Sequence, residues 1–262
     1  TSSVFYFVTS GDYIAYAFRS VEGFSSFGSY VGNGSTNGPI VETGFEPAMV
    51  IVKSTTSAEV WLIRDNKRNT TNPRNSILEP NTSDAETTQS QYDMDFLSNG
   101  FQLKGTGASS NANGETFIYM AFAADPDTEA PTVAKSFTTK TYTGTGSSQN
   151  IEGFGFEPSL LWIKNRASAN HYLVDSVRGK GTNTMRFLSP DLTEPENSTT
   201  TNHVSELLED GFTVQAAHSR TNASGNNYVA WAWKADDNEP TINTEGSIDS
   251  LVSANANAGF SI

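Results

Sequence analysis

Gly44-Phe45-Glu46-Pro47-Ala48-Met49-Val50-Ile51-Val52-Lys53 returns, a domain's length later, as Gly155-Phe156-Glu157-Pro158-Ser159-Leu160-Leu161-Trp162-Ile163-Lys164. Each copy begins as a turn, where Gly can take positive φ and Pro fixes φ near −65°. Each then runs into apolar and β-branched residues and stops at a Lys. This pattern predicts a buried strand reached from a tight corner. The spacing predicts two domain-sized repeats in the 262-residue chain.

The flanking segments repeat in the same order. Tyr30-Val31-Gly32-Asn33-Gly34 is answered by Tyr142-Thr143-Gly144-Thr145-Gly146. Trp61-Leu62-Ile63 is answered by Tyr172-Leu173-Val174, and Leu78-Glu79-Pro80-Asn81 by Leu188-Ser189-Pro190-Asp191. Asn99-Gly100-Phe101 matches Asp210-Gly211-Phe212, and Asn111-Ala112-Asn113-Gly114 matches Asn222-Ala223-Ser224-Gly225. The closing strand occurs three times, as Tyr13–Phe18, Phe117–Phe122 and Tyr228–Trp233. One face of it is large throughout (Ile14, Tyr16, Phe18; Ile118, Met120, Phe122; Val229, Trp231, Trp233), and the other ends in Ala17, Ala121 or Ala232. A strand apolar on both faces belongs at the centre of a sheet covered on each side.

Short strands at regular spacing, with turn residues between them, predict an all-β fold of tandem β-sandwich modules in a repeat array, jelly-roll or concanavalin-like, with the opening and closing strands of a unit as neighbours. The expected division is 1–22 as the end of a preceding module or an extra N-terminal strand, and 23–124 as the first repeat. A linker at 125–133, a second repeat at 134–235, a linker at 236–245 and the start of a third repeat at 246–262 follow. Val204–Glu209 reads as one helical turn before Gly211.

Composition narrows the partners. Sixteen Lys+Arg stand against 29 Asp+Glu, a net charge of −13. Such a chain repels phosphate backbones and anionic lipid, so neither nucleic acid nor membrane insertion is expected. No run approaches a membrane span. Without cysteine the chain has no disulfide and no thiolate metal site.

The order Tyr-x-Gly-x-Gly, Gly-Phe-x-Pro with a strand ending in Lys, Asp/Asn-Gly-Phe and a closing Ala/aromatic strand resembles a repeat domain of phage tail fibre and tail appendage virion proteins. That domain is of the marine-phage type and of unknown function. The resemblance covers Gly23–Ala124 and Ser136–Ala235. It implies a virion location and a structural or host-contact role, with other virion proteins as partners, a homo-oligomer such as a trimer, and a host-surface glycan as ligand. It carries no catalytic residues and no cofactor.

The residues themselves supply little chemistry. His171, His203 and His218 have no metal-ligand spacing and read as surface histidines. Asp93-Met94-Asp95 places two carboxylates at alternate strand positions, as a glycosidase would need, but the second repeat lacks the pair, so they read as solvated strand-edge charges. Asp125, Asp127, Glu129, Asp236, Asp237 and Glu239 are calcium candidates, read as solvated linker acids. The loops Asn66–Asn75, Asn111–Asn113 and Asn222–Asn227 could supply polar contacts to a sugar, whereas Trp61, Trp162, Trp231 and Trp233 all read as core. The expectation is a protein without catalytic, metal or cofactor residues, and with no ligand-binding residues assigned. The alternatives are a capsid decoration or fibre assembly module, and a carbohydrate-active enzyme domain.

Overall fold

Both copies of the repeated stretch become central strands, and each unit closes as two antiparallel sheets laid face to face. The computed structural model describes residues 10–123, 136–179, 181, 184–198, 201–236 and 238–262. A short strand, β1 (Ala17–Phe18), comes first. Module 1 runs β2 (Ser25–Val31), β3 (Ile40–Glu42), β4 (Pro47–Ser54), β5 (Leu62–Asp65), β6 (Ser76–Ile77), β7 (Thr87–Thr88), β8 (Met94–Leu97), β9 (Gly100–Leu103), a single helical turn α1 (Ala108–Asn111) and β10 (Thr116–Ala123). Module 2 runs β11 (Phe137–Thr143), β12 (Gln149–Glu152), β13 (Leu160–Asn165), β14 (Tyr172–Asp175), β15 (Phe187–Leu188), β16 (Val204–Leu208), β17 (Gly211–Val214) and β18 (Asn227–Trp233). The chain ends with β19 (Thr241–Asn243), β20 (Ser250–Val252), β21 (Ala254–Asn255) and β22 (Phe260–Ser261).

Module 1 has one sheet in the order β2-β10-β4-β5 and a second in the order β3-β9-β8. Module 2 repeats this as β11-β18-β13-β14-β15 and β12-β17-β16. Opening and closing strands are neighbours in both, with Phe122 opposite Ser25 and Trp233 opposite Phe137. The Tyr-x-Gly corner has a steric cause. A Cβ on Gly32 would run into the carbonyl oxygen of Ala112, and one on Gly144 into that of Ala223, because the Asn loop lies directly against the corner.

The alternation of the signature strands splits their side chains between two cores. Val50 and Val52 of β4, with Phe117 and Ala121 of β10, fill the inside of module 1. Leu161 and Ile163 of β13, with Tyr228, Ala230 and Ala232 of β18, fill module 2. The opposite faces meet each other. Met49, Ile51, Ile63 and Phe122 from module 1 pack with Leu160, Val229, Trp231 and Trp233 from module 2 in a third core between the modules. Burying each such side chain contributes about 1.5–3 kcal/mol, so the seam is comparable to a domain interior.

The helical turn expected over Val204–Glu209 is instead strand β16, paired with β17. The pairing register shifts between Val204 and Glu206, which puts Val204 and Leu207 against one core at a spacing of three. A bulged strand thereby imitates helical periodicity in the sequence.

The two ends of the chain come together. Phe18 of β1 pairs with Phe260 of β22 and Ala17 with Ser261, so a closing strand from the beginning meets an opening strand from the end. Phe18, Phe122 and Trp233, the same position in three copies of the closing strand, meet at one point. Their ring centroids are 5.7 Å (Phe18–Phe122), 6.1 Å (Phe18–Trp233) and 5.5 Å (Phe122–Trp233) apart, at interplanar angles of 68°, 64° and 70°. Three edge-to-face contacts of one kind between equivalent residues describe an approximate threefold arrangement of closing strands. The first linker, with all three of its acids, Asp125, Asp127 and Glu129, lies outside the described residues, as does Asp237.

Candidate functional site

A connected polar constellation lies on the seam. Strand β5 ends at Asp65, and the turn after it returns Arg68 to the same carboxylate. Asp65 Oδ1 accepts the backbone N–H groups of Lys67 and Arg68, and Oδ2 accepts Arg68 Nε at 2.6 Å. Both side chains are fully buried. Arg68 also donates to the Ile63 carbonyl and to Glu86, and Glu86 accepts two further bonds from Arg166 of module 2, at 2.6 and 3.1 Å. Trp231, also from module 2, donates its Nε1–H to Asp65 Oδ2 at 3.2 Å, and the Arg68 guanidinium lies 5.7 Å from its ring. A buried ion pair is favourable only when its remaining donors and acceptors are also satisfied. The turn amides, the Ile63 carbonyl, Glu86 and the indole do this.

Module 2 carries the same node. Asp175 Oδ2 accepts Arg178 Nε at 2.6 Å, and Arg178 reaches Glu196 at 3.2 Å. The place of Trp231 is taken by Tyr16, which donates its hydroxyl to Asp175 at 2.7 Å and accepts from Arg178 at 3.2 Å. Burial first, then the Asp175 charge, holds the Tyr16 hydroxyl protonated far above its ordinary range.

Beside the first node, the segment following Leu78 clasps module 2. Lys164, the last residue of the repeated stretch, buries its ammonium among the carbonyls of Asp84, Asn165 and Ala167, at 2.9, 2.8 and 3.2 Å. Burial pulls its pKa down to about 8. His171 accepts from Trp162 Nε1 at its Nδ1 (2.8 Å), so its proton sits on Nε2, facing the Glu79 carbonyl at 3.1 Å. Burial, then the Lys164 charge, lowers its pKa to about 4. A groove of ≈ 430 Å³ opens on the same seam between Asn66, Lys67, Thr139, Lys140 and Gly153. Asn66 Oδ1 and Thr139 Oγ1, without a partner among the described residues, are both sealed from solvent, so the groove offers neither to a ligand.

The other residues flagged by sequence are scattered. The reading of surface histidines is corrected for two of the three. His171 is wholly buried and His203 is 1% exposed, packed between Tyr172, Phe187 and His218. Burial, then His218, lowers the His203 pKa to about 3. Asp93 is not a solvated charge either: it is half-buried, and its Oδ1 is closed off without a partner among the described residues. Asp95 lies on the edge strand β8, as expected of that position. Asn111 and Asn222 are buried braces rather than sugar contacts. Asn111 donates to the carbonyls of Ser35 and Gly105, and Asn222 receives the Thr145 amide and donates to the Ser147 carbonyl. Trp61 is corrected the other way: it precedes β5 and is 39% exposed. Among the described residues no group of three or more His, Asp or Glu side chains is placed to hold a metal.

Sequence reading missed the node, although its signal was available. Asp-x-x-Arg starts on the last residue of the fourth strand of both units, as Asp65–Arg68 and Asp175–Arg178, and in each a Glu (Glu86, Glu196) comes 18 residues after the Arg. The pattern went unread because charged residues after a strand look like a solvated turn until a partner sheet covers them.

Fold and node together define a class: an all-β protein of tandem two-sheet modules that dock through their outer faces. The chain belongs to the family described as Domain of unknown function (DUF7483), whose model matches residues 1–126 and again residues 132–262. No curated protein and no solved structure matches the chain.

Proposed function

We propose that the chain is a structural, host-contact part of a phage virion, a tail fibre or tail appendage, that presents its outer loops to a receptor or surface glycan without chemistry of its own. The observation that carries this reading is the seam. The buried pair Asp65 and Arg68, with the partly buried Glu86, joins one repeat to the next, and none of the three lines the groove on that seam. A joint closed by buried ion pairs holds neighbouring repeats at a fixed angle, as a spacer requires. The motif order shared with tail fibre and appendage repeats supports the virion setting, and partners in that setting are other virion proteins and further copies of the chain.

Charge bears on how such a protein would bind. Arg64, Arg68 and Arg74 are spent inside the fold, which leaves the exterior of a −13 chain still more acidic. Bacterial surfaces would repel it at long range, so binding rests on short-range contact and persists or strengthens as salt is added. The test is binding of the labelled, purified chain to a panel of bacterial cells, with its mass in solution measured alongside. Binding to some strains that is lost after glycan stripping is the expected result. No binding to any strain by the folded oligomer rejects the host-contact role for these modules.

A further inference from the structure

The hairpin of module 1, β5 with the segment bridged to it at Ile63–Leu78, covers the closing strand of module 2, where Asp65 receives Trp231. The corresponding hairpin of module 2, β14 and β15, covers the closing strand at the start of the chain, where Asp175 receives Tyr16. The third copy of the closing strand, β10, has Met120 at the place of Trp231 and Tyr16, and among the described residues nothing equivalent lies over it. Val229 and Trp231 are 0% exposed, whereas Ile118, the counterpart of Val229, is 43% exposed, and Val31 beside it is 56% exposed. Met120 and Phe27 on the same face are only partly buried.

Strands β1 and β22 pair as the closing and opening strands of the two modules do. In both modules the closing strand lies between the opening strand and the signature strand, as in β2-β10-β4 and β11-β18-β13. Strand β1 has its opening strand, β22, on one side, and among the described residues no strand on the other. The threefold meeting of Phe18, Phe122 and Trp233 fixes where the hairpin of a unit built on that pair would fall. Each hairpin lies on the closing strand of the next unit round, and the next one round from β1 is β10.

We propose that the face formed by Phe27, Ile118 and Met120 is a docking site for the Asp-x-x-Arg hairpin of one further repeat unit of this family, whose signature strand pairs with the free edge of β1 to close a ring of three. A second copy of residues 1–262 does not meet this requirement, because both of its hairpins are already seated on Trp231 and Tyr16. The partner is apolar at its centre, to match Ile118 and Met120. The Asp carboxylate of its hairpin is satisfied by its own Arg, since the Met120 thioether offers no proton.

Register makes the test direct. Ser261 stands opposite Ala17 as Thr138 stands opposite Ala232, so a second copy of residues 140–226 appended after Ile262 continues the opening strand in phase. A parallel chain carries residues 28–115 there, the matching stretch of module 1. Met120 is the reporter, because the other three methionines, Met49, Met94 and Met185, are no more than 5% exposed. In the 262-residue chain, peroxide converts Met120 to the sulfoxide ahead of the others. In an extended chain its oxidation slows by about tenfold or more, because susceptibility follows exposure. Ile118→Arg in the extended chain restores the fast rate. Three outcomes overturn the proposal. One is fast Met120 oxidation in an extended chain whose added strands are protected from hydrogen exchange. Another is failure of both extended chains to gain protected strands. The third is a Met120 already shielded in the 262-residue chain, whether by its own segments or by self-association.

Discussion

Trp231 of module 2 donates its indole N–H to the buried carboxylate of Asp65 in module 1, across 3.2 Å. That carboxylate is at once the acceptor for a turn, for Arg68 and for the neighbouring module. Asp65→Ala therefore leaves Arg68 buried without its partner and is expected to destabilise the chain by about 3–5 kcal/mol. Trp231→Phe removes only one donor from an acceptor that keeps the others, and is expected to cost about 1–2 kcal/mol. Denaturant titration of both variants checks the order. Equal losses would mean that the indole bond, rather than the ion pair, dominates the node.

The same comparison across the two nodes gives a second expectation. Arg178 keeps 11% of its side chain in solvent, and Arg68 keeps none. Water can compensate the first when its carboxylate is lost. Asp175→Ala is expected to cost less than Asp65→Ala under the same denaturation protocol.

Burial lowers the pKa of all three histidines, that of His171 and His203 the furthest. His171 and His203 have folded-state values of about 4 and about 3, below the unfolded value near 6.5. The unfolded chain therefore takes up protons first as the pH falls. Stability is fully present above about pH 6.5 and is lost toward pH 4, with a slope of up to about 1.4 kcal/mol per pH unit for each histidine. Protonating His171 at Nδ1 also ends its bond from Trp162. Denaturation midpoints between pH 7.5 and 4.5 measure the slope. His203→Phe is expected to make it shallower whatever it does to stability at pH 7.5, because the slope counts protons and not packing.

The ammonium of Lys164 gathers carbonyls from both modules. Lys164→Met keeps the length of the side chain and removes the donors, leaving those carbonyls without it. A loss of about 1–3 kcal/mol is expected. Hydrogen exchange should quicken along residues 79–86 and 164–171 before it does inside either sandwich.

Phe18 anchors the ends of the chain against Phe122 and Trp233, and stacks on Phe260 at 4.7 Å. Phe18→Ala is expected to free β1 and β22 while β10 and β18 keep their protection, since those strands have their own partners. Phe122→Ala opens the meeting point at its middle and is expected to cost about 3–5 kcal/mol. Exchange mass spectrometry separates the two patterns.

Much of the architecture is legible in the linear pattern. Gly44–Lys53 and Gly155–Lys164 show a buried strand after a corner, and their separation shows a repeat. The three closing strands show apolar character on both faces, which requires two covering layers. The candidate site was barely legible. Asp65, Arg68 and Glu86 are separated by turns, and only the covering of Asp65 by Trp231, 166 positions away, turns ordinary surface residues into a buried joint. His171 and His203 misled for the same reason: a lone His carries no signal of what will pack over it. Val204–Leu208 misled because a bulge broke the two-residue alternation on which strand reading depends.

By itself the sequence determined the all-β modules, their order and the two-faced strands, because these follow from local turn chemistry and from the period of the apolar residues. Only the tertiary structure decided that the outer faces of the two modules cover each other, that the ends of the chain share a sheet, and that Phe18, Phe122 and Trp233 meet. These are contacts between residues far apart in the chain. They depend on the angle at which one sheet lies on another, which no local pattern encodes.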